Sequence, residues 1–394
     1  MREPRTAYRF PGIAPSGPRP SGGCDVPSGG CDVLAYTAAP GLGGAEISLG
    51  HLLAQASPSL SIVLAGTSRE VVTHLHARRP GMPAVVLPTG RTALAAHIAA
   101  FRRLRPRVVH VNRHVPWASV PGIVAALVTP GARLVTVDQL PLRTVDVVEL
   151  WRTRALTLRA DAAVAVGVAS ARRLEDYYAL GRGSVRSVPN GVPDPGVRRR
   201  KTRPGESLVV GAAARLDPMK GLDVLLRAIA RVDGVRLIVA GAGEQEGALR
   251  ALARELDVAE RVTFTGWLAS PRDFLPLIDV FALPSRSEGF PLALVEAMFA
   301  GLPSVATRVG SVGEAVRSQR EGLLVPSDDP EALAAALCRL RDDPDLRARL
   351  GVAARGRALA HFTAETMARS YERLWDDLRT RPRTGRLHPP PPRP

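Results

Sequence analysis

Apolar residues along this chain fall into two kinds of pattern. Short β-branched runs alternate with longer stretches in which apolar positions recur every three or four residues. The short runs lie at 32–37, 60–65, 84–87, 108–112, 133–137, 162–166 and 185–188. After a break they resume at 208–213, 236–240, 261–265, 280–283, 304–306 and 323–325. Continuous apolar strands separated by amphipathic helices read as parallel sheets covered on both faces. The break holds Pro193, Pro195, the run Arg198-Arg199-Arg200-Lys201 and Pro204-Gly205, which is the composition of a linker. The expected fold is α/β, with two tandem Rossmann-like doubly wound domains. A ligand shared by both sits at the carboxyl ends of their strands, in the cleft where the domains face each other. The reading divides the chain into an N-terminal extension at 1–30, a first domain at 31–192, a linker at 193–206, a second domain at 207–362, a last helix at 363–379 and a tail at 380–394.

Composition supports a two-domain folded protein. The chain has 394 residues, 45% hydrophobic and 23% charged, too long for one core and too apolar for a disordered chain. Both ends depart from this. Residues 20–26 read Pro-Ser-Gly-Gly-Cys-Asp-Val and residues 27–33 repeat them, a short tandem duplication whose second copy runs into the first strand. The extension and the proline-rich tail are read as disordered. Cys24, Cys31 and Cys338 form neither a disulfide framework nor a zinc cluster, which suits a reducing compartment. The uncharged run 115–132 contains Pro116, Pro121 and Pro130 and falls short of the roughly 20 apolar residues of a bilayer span. No apolar leader segment is apparent in the first 30 residues. The expected location is cytoplasmic.

Charge is distributed unevenly. The first 200 residues carry 25 arginines against 12 acids, while the remainder carries 28 basic and 25 acidic residues. Nucleic acid is not the expected partner, because no zinc-finger spacing, helix-turn-helix signal or aromatic strand motif accompanies the charge. An anionic membrane surface fits better. The stretch 94–107 sets Leu94, Ile98, Phe101 and Leu104 at helical spacing beside Arg102, Arg103, Arg105 and Arg107. Its ordinary alternative is a core helix with a solvated basic end. The chain has only two lysines, Lys201 and Lys220, so a lysine kept inside a loop signals a need for a compact ammonium.

Four loops carry candidate chemistry. Gly41-Leu42-Gly43-Gly44-Ala45-Glu46 joins the first strand to a helix, where backbone N–H groups can meet an anion. Gly241-Ala242-Gly243 resembles a dinucleotide turn, but its third glycine is displaced and no acid ends the next strand, so an NAD-dependent oxidoreductase is the losing enzyme reading. Arg215 and Lys220, five residues apart on the turn after the 208–213 strand, supply two cations able to neutralise a diphosphate without a metal. Finally, Glu288-Gly289-Phe290-Pro291-Leu292 leads into a helix carrying Glu296, eight positions after Glu288. Pro291 suits the first helical position, which puts the N–H groups of Gly289 and Phe290 at the helix's positive end. Two acids flanking such a turn suit the hydroxyls of a sugar and a ribose.

Together these motifs resemble family 4 of the retaining glycosyltransferases, with the GT-B fold. The resemblance runs from about residue 32 to residue 378 and includes Gly-Gly-Ala-Glu at 43–46, Val-Pro-Asn-Gly-Val at 188–192, Arg-Leu-Asp-Pro-Met-Lys-Gly at 215–221 and Pro-Ser-x-x-Glu-Gly-Phe-Pro at 284–291. It implies an acceptor domain followed by a nucleotide-sugar donor domain, with the last helix crossing back onto the first. By position it implies that Arg215 and Lys220 bind the donor diphosphate and that Glu288 meets the donor sugar. Backbone N–H groups from Gly289 to Leu292 lie near both, Glu296 holds the ribose, and Gly43 and Gly44 line the cleft. The expected reaction is retaining transfer from a nucleotide sugar to a glycan, lipid-linked or small-molecule acceptor, with no cofactor and no metal, and with peripheral contact to anionic membrane. Two departures stand out. Asp138 occupies a strand end where much of the family has a histidine, with His110 and His114 as substitutes nearby, so Asp138 joins the catalytic candidates. Gly310-Ser311 replaces a usual Gly-Gly and is expected to narrow the donor pocket. Asp138 also motivates the alternative of a catalytically silent sugar-nucleotide-binding or partner protein on the same scaffold.

Overall fold

The computed structural model describes residues 30–90, 93–198, 206–268 and 270–380. The extension up to residue 29, linker residues 199–205 with Lys201, and the tail from 381 lie outside the described residues. The first sheet comprises β1 (Cys31–Thr37), β2 (Ile62–Gly66), β3 (Ala84–Val86), β4 (Pro106–Arg113), β5 (Arg133–Asp138), β6 (Ala162–Ala165) and β7 (Val185–Ser187). Around it lie α1 (Gly44–Gln55), α2 (Arg69–Ala77), α3 (Ala93–Leu104), α4 (Val120–Leu127), α5 (Val147–Thr157) and α6 (Val168–Tyr177). The second sheet comprises β8 (Leu208–Ala213), β9 (Val235–Ala240), β10 (Val262–Gly266), β11 (Val280–Leu283), β12 (Ser304–Thr307) and β13 (Gly322–Val325). Its helices are α7 (Leu222–Ile229), α8 (Glu246–Glu255), α9 (Leu292–Phe299), α10 (Val312–Ala315), α11 (Pro330–Asp342) and α12 (Pro344–His361), and α13 (Ala364–Thr380) closes the chain.

Both sheets are parallel, with orders β3-β2-β1-β4-β5-β6-β7 and β10-β9-β8-β11-β12-β13. Strand order therefore reverses between β1 and β4 in one sheet and between β8 and β11 in the other. Loops leaving such a pair diverge to opposite faces and open a crevice. Alternation along the strands feeds two cores per sheet. Val210, Leu237 and Val280 pack into the core beneath α7 and α11, while Phe281, Leu283 and Ala306 face the α9 and α12 side.

The duplicated heptad ends in structure: Asp32 of its second copy accepts from the Ser61 backbone N–H at 3.1 Å and pairs with Arg379 at 2.7 Å. Arg379 lies on α13, which returns from the second domain to pack against α1 and β4. There Tyr371 and Trp375 close edge-on around His110, with ring centroids 5.1 and 5.6 Å away. Each buried aromatic contributes roughly 2–3 kcal/mol. The chain crosses between domains twice at one place. Val192 N–H donates to Phe362 O at 3.0 Å, and Ala364 N–H donates to Val192 O at 3.1 Å.

Helix α3 takes the ordinary alternative. Phe101 and Leu104 are buried in the first core with Ile98 packed against it, while Arg102, Arg103, Arg105 and Arg107 stand exposed at its end. Cys31 and Cys338 are free thiols.

Asp138 corrects the reading of the β5 end. Its carboxylate is fully buried and ion-paired at 2.5 Å with Arg113, its partner in the β4–β5 register. The Arg113 guanidinium also donates to Pro116 O at 2.7 Å and reaches Thr157 Oγ1 of α5 at 3.4 Å. Burial drives the Asp138 carboxyl upward against the opposing pull of that guanidinium. The side chain thus turns under α5 and does not reach the cleft, which removes it from direct contact with a donor sugar there. A buried pair costs most when one partner is left alone. Asp138→Leu is expected to lose about 3–5 kcal/mol of unfolding free energy, and Arg113→Met/Asp138→Leu to recover most of it, as read by urea denaturation.

Candidate active site

The turn after β8 is built around Asp217. Its Oδ1 accepts the Met219 N–H at 2.9 Å and starts a short 3-10 turn, Pro218–Lys220. Its Oδ2 takes the Arg215 Nε–H at 2.6 Å. One carboxylate therefore aims one cation and shapes the turn that carries the other. Gly221 follows at φ +63, and a Cβ there would stand 2.2 Å from Pro284 O, so this position combines a left-handed backbone with contact against the neighbouring loop. Arg286 fastens the same two loops. Its backbone N–H donates to Met219 O at 2.8 Å, and its guanidinium reaches Pro218 O at 2.6 Å. Asp223 and Asp328 take the remaining donors and hold the guanidinium firmly charged.

These constraints bring Lys220 Nζ to 2.7 Å from Glu288 Oε1. Ser285 Oγ donates to the same oxygen, also at 2.7 Å. Glu288 is almost wholly buried, Lys220 largely so, and Arg215 is mostly exposed. Pro291 is the residue before α9, one position earlier than expected, and Leu292 is the first helical residue. Phe290 is buried against Phe362 with ring centroids 5.1 Å apart, so its side chain serves the core and only its backbone is available to a ligand. Glu296 lies in the second turn of α9, and burial pushes its carboxyl up to about 7.

The first domain meets this loop directly. A Cβ on Gly289 would stand 1.9 Å from Gln139 O, so the Glu288–Gly289 turn needs glycine for the two domains to close. Gln139 then belongs to a polar chain that motif reading left without a role. Its Nε2 donates to Asn112 Oδ1 at 3.0 Å, and its Oε1 accepts from Asn190 Nδ2 at 3.1 Å. Asn190 also donates to Phe290 O at 3.2 Å and accepts from Ser48 Oγ at 2.7 Å. Asn112 donates to Ala45 O at 3.0 Å. Only Asn190, inside the 188–192 segment, carried a sequence signal.

Ser311 corrects a second expectation. It is fully buried and turned toward the first domain, where its hydroxyl lies 2.9 Å from Ser170 Oγ and accepts the Ser170 N–H at 3.2 Å. It links the two domains. Beside it Glu314 accepts the Val168 and Ala169 N–H groups at 2.8 and 2.7 Å, placing a carboxylate from α10 on the positive end of α6.

The two histidines near the β4 end part company. His110 is wholly buried under Tyr371 and Trp375, and burial lowers it to about 3, so it is neutral and away from the cleft. His114 is half-buried and faces the second domain. Burial and then the charge of Arg215 hold its imidazole below the ordinary range. At the other rim, Gly43 precedes α1, and a Cβ on Gly44 would meet nothing within 4 Å. The glycines of 241–243 serve their own domain. Leu216 N–H donates to Ala242 O at 3.0 Å and Gln245 N–H to Leu216 O at 3.1 Å, so this loop supports the Arg215 turn.

Two facing Rossmann-like domains, with the charged loops after β8 and β11 of the second set against the first, define a GT-B architecture. Comparison with solved structures gives the same fold. The chain superposes on Anabaena HepE in complex with UDP at TM-score 0.78 and 21% identity, covering 88% of this chain and 100% of that one. It superposes on sucrose-phosphate synthase of Thermosynechococcus elongatus at TM-score 0.73 and 21% identity, covering 88% and 99%. The family model of glycosyl transferases group 1 matches residues 207–343, which lie in this second domain. The chain is 36% identical over 209 residues to a GDP-mannose-dependent alpha-(1-6)-phosphatidylinositol monomannoside mannosyltransferase of Mycobacterium tuberculosis, over 47% of this chain and 54% of the relative. It is also 36% identical over 244 residues to a D-inositol 3-phosphate glycosyltransferase of Segniliparus rotundus, over 55% and 53%. The chain spans about half the length of the curated relatives it matches.

Glu46 gives the site a pH dependence. It is buried behind the glycine turn, with Thr37 Oγ1 donating to it at 3.3 Å, and burial pushes its carboxyl up to about 7. Hydrogen bonds from the Glu46 backbone, Thr37 and Gly43 oppose that rise. A raised carboxyl binds its proton more tightly in the folded state. Its stabilising contribution is therefore complete below the unfolded value and lost as pH rises toward 7. Glu46→Gln keeps the neutral form throughout. The gain in Tm of Glu46→Gln over wild type is expected to grow between pH 5 and pH 8, by the equivalent of roughly 2–3 kcal/mol.

Proposed function

We propose that this chain transfers a sugar from a nucleoside-diphosphate sugar to an acceptor hydroxyl, with retention of anomeric configuration. The observation that carries the reading is the Lys220–Glu288 pair at 2.7 Å, a phosphate-binding cation beside a hydroxyl-binding carboxylate at the domain switch point. Glycosyl transfer requires the charge on the departing diphosphate to be stabilised as the bond to the sugar breaks. Lys220 and Arg215 supply two positive charges for that purpose, and the N-terminal end of α9 adds the backbone N–H donors of Gly289, Phe290 and Leu292. On this reading the diphosphate draws Lys220 toward itself, and Glu288 exchanges part of its contact with the ammonium for the donor sugar's hydroxyls. Glu296 accepts from the ribose, and its acceptor strength rises as it ionises near neutral pH. The neutral imidazole of His114 faces the transferred group from the first domain, the place first assigned to Asp138. Charge neutralisation by Arg215 and Lys220 makes the transfer independent of a divalent ion.

The relatives support this class of chemistry without selecting the donor. One is named for GDP-mannose, while a structural neighbour was solved with UDP-glucose. The acceptor is a glycan, a lipid-linked sugar or a small polyol, and the chain works at the cytoplasmic face of a membrane. A thermal-shift panel with UDP, GDP, ADP and dTDP, each with and without EDTA, tests the donor site. Tm is expected to rise with one diphosphate equally in both conditions. Arg215→Gln, an exposed change, is expected to weaken that ligand roughly tenfold, and Lys220→Met more. No rise with any diphosphate, or a rise abolished by EDTA, contradicts the proposal.

A further inference from the structure

Helix α5 buries one face and leaves an apolar one exposed. Thr153, Leu156 and Thr157 are buried against the first domain. On the other side Val147, Val148, Trp151 and Leu158 are 65, 75, 60 and 42% exposed, and Val145 just before the helix is fully exposed. At 100° per residue Val147, Trp151 and Leu158 form one outward stripe, with Val148 at its edge. No described residue covers it. Among the other described helices none exposes more than two large apolar side chains, the two being Val352 and Leu359 of α12.

The rim of the stripe is basic. Arg152 and Arg159 are exposed along one side of it, and exposed Arg143 precedes it. Arg154 lies on the other side, 5.8 Å from the Trp151 ring centroid, with its guanidinium donating to the Tyr178 and Ala179 carbonyls. The segment from 143 to 159 has two acids against its four arginines, and both acids make hydrogen bonds within it. Asp146 accepts the Glu149 N–H at 2.8 Å, and Glu149 takes Thr144 Oγ1 at 2.6 Å and Arg152 at 3.2 Å. The surrounding half of the chain carries 25 arginines against 12 acids. A tryptophan within an aliphatic stripe edged by arginine matches a bilayer interface, where the stripe meets acyl chains and the cations meet lipid phosphates. A protein partner requires no such one-sided charge.

We propose that the face formed by Val145, Val147, Val148, Trp151 and Leu158 seats the first domain in the headgroup region of an anionic bilayer. Among the described residues no helix is long and apolar enough to cross a membrane, so this contact lies on the surface. Its position has a consequence for the cleft. Helix α5 follows the loop that starts at Gln139, whose backbone abuts Gly289, so the loop leading into the membrane face begins at the cleft. The inference stands independently of glycosyl transfer, since it rests on α5 alone.

Vesicle sedimentation of the full chain tests it, using phosphatidylcholine alone and an equal mixture with phosphatidylglycerol. The wild type is expected to pellet with the anionic vesicles and not with the neutral ones, and less so as salt rises. Val147→Ser/Val148→Ser/Trp151→Ser, all exposed changes, is expected to lose roughly tenfold or more in partition while keeping its circular dichroism spectrum. Arg102→Gln/Arg103→Gln, at the end of α3, is expected to lose much less. Equal pelleting with both vesicle types overturns the proposal, as does equal pelleting of wild type and the α5 variant. A concentration-dependent dimer that the α5 variant abolishes, without vesicle binding by the wild type, would assign the face to a second copy.

Discussion

The contact on which the site depends is one ion pair, Lys220 Nζ to Glu288 Oε1 at 2.7 Å. A largely buried ammonium and carboxylate tolerate each other only in good geometry, because each has surrendered most of its water. Much of the local structure supplies that geometry. Asp217 sets the turn, Gly221 lets it lie against Pro284 O, and Arg286 ties the second loop to the first through Met219 O and Pro218 O. These supports come from loops after β8 and β11, the strands between which the sheet order reverses. The parallel sheet thus determines where the pair sits, and the loop contacts determine how closely its members approach.

The domains meet through polar groups near that pair. Asn190, Gln139, Asn112 and Ser48 form a continuous hydrogen-bonded chain from the first domain to Phe290 O. Glu314 and Ser311 reach the opposite way onto the start of α6. Such contacts are directional and separate more readily than a buried apolar interface. The two chain crossings at Val192 and Ala364 lie together at one edge. The arrangement therefore combines a paired connection with a polar seam, which is suited to opening for a ligand and closing over it.

Period and punctuation in the sequence made much of this readable. Every strand-like run became a strand, with shifts of a residue or two at its ends, because an uninterrupted β-branched run between helical patterns has few other places to go. The motif loops were readable for a related reason: glycine, proline and charge at a βα turn have few uses. Side-chain direction was harder. Asp138 ends its strand as expected, yet Arg113 in the register partner position draws it under α5, and that pairing follows from sheet order rather than from local spacing. Ser311 was misplaced because the start of α6, which takes its hydroxyl, comes from more than a hundred residues earlier in the chain. The outward stripe of α5 is hidden in the sequence because the buried face carries Thr153 and Thr157 while the exposed face carries valine and tryptophan, the reverse of the usual pattern. The polar chain through Gln139 joins residues that are ordinary one at a time.

Lysine scarcity offers a direct view of the central pair. The chain contains only Lys201 and Lys220, so selective ¹³C labelling of lysine gives two side-chain Cε signals, one of them assignable by its loss in Lys220→Arg. If the pair is the diphosphate site, titration with the nucleoside diphosphate that binds moves the Lys220 signal progressively to saturation and leaves the Lys201 signal in place. A Lys220 signal that stays fixed while the nucleotide binds would show the phosphates held elsewhere and would contradict the account.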